Sequence, residues 1–217
     1  MREKFEQDLK RLQAEVLQLG VLAEQAVRGS VESLRQQDLE RARTLIEEDR
    51  IINEKRFDLE NEVLTLIATQ QPMAGDLRML ASALELAAEM ERIADYAKGI
   101  ANIALAIGKE PLVMPLVDIF RMTDKACGML HRALDAFIRS DLELARVVPK
   151  EDQVVDELYQ TIYRDLIGCV IDNPGCIDQA QRLTWVAHNL ERVADRVSNI
   201  CERVVFAVTG RIEELTI

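Results

Sequence analysis

The sequence predicts an all-α chain built as two tandem three-helix bundles, six long antiparallel helices related by an internal repeat. Three observations predict it. Nine Gly and five Pro in 217 residues leave little turn chemistry, and aromatic residues make up only 4%, so strand formers are scarce as well as turns. Apolar residues recur at steps of three and four, or of seven, through long stretches, as one face of a helix requires. The pattern then begins again about half-way along, with charged residues repeated as well as apolar ones.

Leu9, Leu12, Val16, Leu19, Ala23, Val27, Val31 and Leu34 form the stripe of a first helix of about 30 residues. After Gln36 and Gln37, Asp38 begins a second helix, in which Leu45, Ile52, Leu59 and Leu66 stand seven apart. Pro72, Gly75 and Asp76 mark the next turn. Met79, Leu86, Ile93, Ile100 and Ile107 carry the third helix, backed by Ala83, Met90, Ala97 and Ala104, and Gly108 with Pro111 closes it. Three such helices joined by short turns make an up-down-up bundle, each on the order of 45 Å long at about 1.5 Å per residue.

A shift of 103 residues lays Leu9 on Leu112, Val16 on Ile119, Leu19 on Met122, Ala23 on Ala126, Val27 on Leu130 and Leu34 on Phe137. The same shift lays Asp38-Leu39-Glu40 on Asp141-Leu142-Glu143, Glu48-Asp49 on Glu151-Asp152, and Ile52-Asn53-Glu54 on Val155-Asp156-Glu157. Near the end of each half the shift becomes 100, and Glu91-Arg92-Ile93-Ala94-Asp95 meets Glu191-Arg192-Val193-Ala194-Asp195. A three-residue deletion around Asn173-Pro174-Gly175 accounts for the change. Apolar coincidences would match any helix to any other, whereas a repeated charged pentapeptide does not follow from core periodicity. The repeats are therefore read as residues 1–109 and 110–217, the second with helices over roughly 113–139, 141–172 and 178–209 and a capping box at Ser140-Asp141-Leu142-Glu143.

Asp and Glu number 38 against 27 Lys and Arg, a formal charge of −11. That balance disfavours nucleic acid and anionic membrane as partners, since both require a surplus of Lys and Arg. The longest stretch without a charge, Val63 to Gly75, is thirteen residues and contains Gln70, Gln71 and Pro72, too short and polar to span a bilayer. The start goes straight into an amphipathic pattern with no apolar signal core, so a cytoplasmic location without membrane insertion is expected. Cys127, Cys169, Cys176 and Cys201 lack paired spacing and are read as small buried hydrophobes rather than zinc ligands or disulfides.

Some carboxylates fall outside the core pattern. Glu91 and Asp95 are four residues apart and face the same way, and Glu191 and Asp195 repeat the arrangement. Like charges at this spacing destabilise a helix by roughly 0.2–0.5 kcal/mol, so an offsetting cation or basic neighbour is expected, with Arg92 and Arg192 at hand. On the second helix Asp49 and Asn53 interrupt an apolar stripe, and their equivalents are Asp152 and Asp156. If second and third helices pack side by side, each repeat brings these pairs together, and converging oxygen ligands can hold a hard cation or a carboxylate-bridged iron or manganese centre. A solvated charged helix face is the plain alternative for any single pair. Asn53 gives the first repeat one acid fewer than the second.

A ferritin-like metal-storage or oxidase bundle would need an inward Glu-x-x-His on each of two helices. His188 precedes Glu191 in the reverse order, and Ala88 holds the matching place in the first repeat. No phosphate-cradling glycine loop and no nucleophile with a plausible histidine base is found. Catalysis is not expected, and a purely structural bundle remains the blandest alternative.

The chain resembles the PhoU family of phosphate transport system regulators over about residues 3–210. The likeness rests on the doubled E-R-x-x-D pentapeptides, on Gln71-Pro72-Met73-Ala74 with Asp76-Leu77-Arg78, and on Glu151-Asp152 with Val155-Asp156. It implies two tandem three-helix bundles and a negative regulator of the phosphate-starvation response. Such a regulator would link a phosphate-importing ABC transporter at the inner membrane to a phosphate-sensing histidine kinase and restrain uptake. It also implies homodimers and a multinuclear cluster of iron or another metal. By that resemblance the ligands would be Glu91, Asp95, Glu191, Asp195, Asp152, Asp156 and Asp49, with Asn53 standing where the pattern has an acid.

Overall fold

The computed structural model describes residues 2–215, and every regular element among them is helical. The first repeat has α1 (Arg2–Gln36), α2 (Leu39–Gln70) and α3 (Ala74–Ile107). The second has α4 (Val117–Arg139), a short α5 (Leu142–Val147), α6 (Asp152–Asp172) and α7 (Ile177–Thr209). The six long helices expected are present, and three boundaries in the second repeat differ from the sequence reading.

The first difference is a helix that starts late. α4 begins at Val117 rather than near residue 113, because Pro115 disfavours helical backbone at the residue before it. The second is a break. The helix expected over 141–172 is interrupted by a 3-10 segment, Val148–Glu151. Pro149 lacks an N–H and crowds the carbonyl four residues back; its counterpart in continuous α2 is Ile46. The third concerns the cap. Asp141, not Ser140, accepts the Leu144 N–H (2.9 Å), as Asp38 accepts that of Arg41 (3.0 Å). Ser140 and Gln37 are instead the left-handed residues, both at φ 53°, that end the preceding helix. In each turn the next amide, Asp141 or Asp38, bonds back to Ala136 O or Ser33 O at 2.9 Å, the wide bond of a Schellman turn.

α3 packs against α1 and α2 of its own repeat and α7 against α4 and α6, as the seven-residue stripes require. The two repeats meet chiefly where α3 and α7 run antiparallel, with Arg78 Nε donating to Ala207 O (3.4 Å) and Ser82 Oγ to Arg203 O (3.1 Å). α1 also meets α4 at Gly20, where a Cβ would stand only 2.3 Å from Leu134 Cδ1. Buried apolar residues from all six long helices form one cluster across both repeats. The boundary at residues 109 and 110 falls in the connection between α3 and α4. Buried Gln179 pins it by accepting from Val113 N (2.7 Å) and donating to Pro111 O (3.1 Å).

Cys127, Cys176 and Cys201 are buried, Cys169 is half-buried, and all four are free thiols. No helix among the described residues is long and apolar enough to cross a membrane.

Candidate metal centre

α2 lies beside α3 and α6 beside α7, so each repeat brings its two sets of polar residues onto neighbouring helices. In the first repeat Asp49 is buried at 5% exposure, and the salt bridge that reaches it comes from Lys98 on α3, with Nζ 2.8 Å from Oδ2. Asn53 Nδ2 donates to the same oxygen (3.2 Å) and to Asp49 O (3.1 Å), while Asp49 Oδ1 is buried without a hydrogen-bond partner. Glu91 is half-buried and Asp95 exposed. Burial, then Asp95 and Asp49, raises the Glu91 carboxyl above its ordinary value against the pull of Arg56 and Arg92. Burial and Asp49 likewise raise Asp95, against Lys98.

The second repeat holds Asp152 buried at the start of α6, Asp156 exposed one turn on, and Glu191 and Asp195 half-buried on α7. Burial pushes the Asp152 carboxyl up to about 7, and Asp156, Asp195 and Glu191 push the same way. Asp156 is raised by burial, then by Glu191 and Asp195. Asp152 Oδ1 is buried without a hydrogen-bond partner. Arg192 Nη1 donates to Asp195 Oδ2 (2.7 Å), and His188 Nδ1 lies 2.9 Å from Glu191 Oε2.

All eight residues expected as ligands therefore sit in two clusters, four to a repeat. The expected basic offset comes from Arg192 in the second repeat. In the first, Arg92 turns away to buried Glu89 (2.5 Å), and Lys98 takes the role instead. Lys98 lies three residues after Asp95, on the same helix face, which is the one signal in the sequence that could have found it. Glu151 also went unassigned. It receives two bonds from Arg132 (2.5 and 2.6 Å) and one from Lys125, and it fixes the 3-10 turn that delivers Asp152.

Among the described residues, no group of three or more His, Cys, Asp or Glu is arranged to hold a metal ion. The donor chemistry of the second repeat nonetheless fits one: four hard oxygen donors from two helices, one of them carrying a buried unpaired oxygen. Gathering them requires Asp195 to leave Arg192 and Glu191 to leave His188, each a partner three residues away on α7.

The family model described as the PhoU domain matches residues 16–104 and 119–204. A relative from Clostridium acetobutylicum, called a phosphate-specific transport system accessory protein PhoU homolog, is 33% identical over 99% of this chain and 98% of its own length. A homolog of the same description from Caulobacter vibrioides is 35% identical over 99% of this chain and 93% of its own. The crystal structure of PhoU from Pseudomonas aeruginosa superposes with a TM-score of 0.89 at 31% identity, covering 95% of this chain and all of that one (100%). That of the phosphate transport system regulatory protein PhoU from Streptococcus pneumoniae gives 0.89 at 27% identity, covering 96% and 99%.

Proposed function

This chain belongs to the PhoU family, and from that premise we propose that it is the accessory protein of a phosphate-specific transport system, restraining phosphate uptake and the phosphate-starvation response when phosphate is ample. It acts without catalysis, as a cytoplasmic homodimeric adaptor held at the inner membrane by docking on the phosphate ABC transporter and on a phosphate-sensing histidine kinase. The observation that carries this reading is a likeness to such accessory proteins that extends over 99% of the chain. A formal charge of −11 is in keeping with an effect on transcription that runs through protein partners and not through DNA contact. Deleting the gene should derepress the phosphate regulon and raise uptake in high phosphate. Unchanged expression and uptake in the deletion strain would end the assignment.

A second reading concerns the carboxylates. We propose that Asp152 and Asp156 on α6, with Glu191 and Asp195 on α7, hold iron or another multivalent cation. The buried unpaired Oδ1 of Asp152 among three other acids supports this. When bound, the cation supplies charge neutralisation and a cross-link between the two helices. Metal analysis of protein purified without chelator should show metal that a Glu191→Ala/Asp195→Ala variant lacks. Equal, negligible content in both would refute it.

A further inference from the structure

We infer that Lys98, helped by Arg56, takes the place of a metal ion in the first repeat, so that this chain is loaded in its second repeat alone. The inference rests on reading the second repeat as a cation site and adds which half is used and what decides it. The two clusters are superposable in sequence and unequal in charge, the second being the more negative. Shifted by 103 and 100 residues, Asp49, Asn53, Arg56, Glu91, Asp95 and Lys98 become Asp152, Asp156, Tyr159, Glu191, Asp195 and Ser198. Three acids with two cations thus face four acids that have a phenol and a hydroxyl in those two places.

The geometry of the first cluster is that of a site whose charge is already partly offset. The Lys98 ammonium sits 2.8 Å from Asp49 Oδ2, hydrogen-bonded to it and attracted by Asp95 and Glu91 as well. Asn53 turns N–H groups, not an oxygen, toward Asp49, so two donors occupy the oxygen that a cation would need. Asp49 Oδ1 stays unpaired, as Asp152 Oδ1 does; the difference between the repeats is therefore the Oδ2 partner and the local charge. Arg56, whose Nη1 pairs with Glu60 Oε1 at 3.5 Å on α2, also attracts Glu91, with its Nε buried and unpartnered and its guanidinium 4.6 Å from the Phe57 ring centre. An ammonium fixed within hydrogen-bond distance repels a divalent cation at the same carboxylates, and affinity in oxygen sites follows the count of charged ligands.

The test is Mn2+ binding to the full-length protein, stripped with chelator and titrated while free Mn2+ is followed by paramagnetic resonance. Circular dichroism checks that each variant is folded. In the wild type, E191Q/D195N should abolish binding and E91Q/D95N should leave stoichiometry and affinity unchanged. Asn53→Asp/Arg56→Tyr/Lys98→Ser should roughly double the bound Mn2+, matching two equivalent repeats, with the added half removed by E91Q/D95N. Wild-type binding that E91Q/D95N reduces as much as E191Q/D195N does would overturn the inference. If the wild type binds nothing and the triple variant gains binding that depends on Glu91 and Asp95, the role of Lys98 stands and the second-repeat reading falls. No binding in either protein sinks both.

Discussion

Glu89 on α3 and Arg196 on α7 face each other across the seam between the repeats, Nη1 3.6 Å from Oε2, with Glu89 only 5% exposed. Arg92 Nη1 (2.5 Å) and Asn199 Nδ2 (3.5 Å) complete the shell around the acid. At the symmetry-related place Asn189 stands for Glu89, with its Nδ2 3.1 Å from where a Gly99 Cβ would lie. This polar knot, with the Arg78 and Ser82 bonds to α7 carbonyls nearer the start of α3, fixes the register of two long helices. Removing one partner of a buried pair strands the other. Arg196→Met should cost about 2 kcal/mol, moderated by the remaining Arg92, and adding Glu89→Leu should recover part of that loss. A double-mutant cycle by chemical denaturation measures the coupling.

The turn geometry separates two adjacent residues that sequence alone confuses. Asp141 caps α5 through Leu144 N, whereas Ser140 merely occupies left-handed backbone. Asp141→Ala should cost about 1 kcal/mol, as should Asp38→Ala in the matching turn. Ser140→Ala should be near neutral, and Ser140→Gly should stabilise by up to about 1 kcal/mol, because glycine adopts that backbone freely. Thermal unfolding of the four single variants distinguishes this from a Ser140 cap.

The bundle was legible because a helix reports its buried face at fixed spacing. Val148, Val155 and Ile162 keep seven-residue spacing straight through the Pro149 break, and all three are fully buried. That same regularity hid the break, since the 3-10 turn leaves the stripe in phase. Asp49 was legible as an acid on an apolar stripe. Lys98 was not, because a half-exposed lysine on a helix reads as solvated, and its partner lies 49 residues away on another helix. Glu89, too, is buried by a contact from another helix, α7, that no spacing within α3 reports. Contacts between helices, and between repeats above all, carry no periodicity of their own.

Glu151 holds the broken helix to α4. The hydrogen bonds from Arg132, with the one from Lys125, draw its carboxyl down to about 2 despite partial burial. A carboxyl lowered on folding contributes stability that is fully present above its ordinary value, near 4.5, and fades as pH falls toward 2. Glu151→Gln should therefore destabilise the protein at pH 7 by about 1 kcal/mol, allowing for solvent screening of a partly exposed cluster. The difference from wild type should shrink steadily below pH 4.5 in urea titrations.

Asp152, the next residue, works in the opposite sense. Its carboxyl is pushed up to about 7 by burial and then by Asp156, Asp195 and Glu191, so the folded chain keeps a proton there that the unfolded chain has lost. Stability in the presence of chelator should consequently fall as pH rises from about 4 to 7, the range between the ordinary aspartate value and the raised one. The Glu151 contribution changes only around and below its ordinary value, near 4.5, so the two residues are separable in the upper part of that window. Asp152→Asn should flatten the slope and raise the stability of chelator-treated protein at pH 7, with Asp156 leaving a residual dependence of the same sign. A bound multivalent cation must displace the same proton. Mn2+ affinity should therefore strengthen as pH rises toward 7, and a pH-independent affinity in the wild type would separate Asp152 from the cation site.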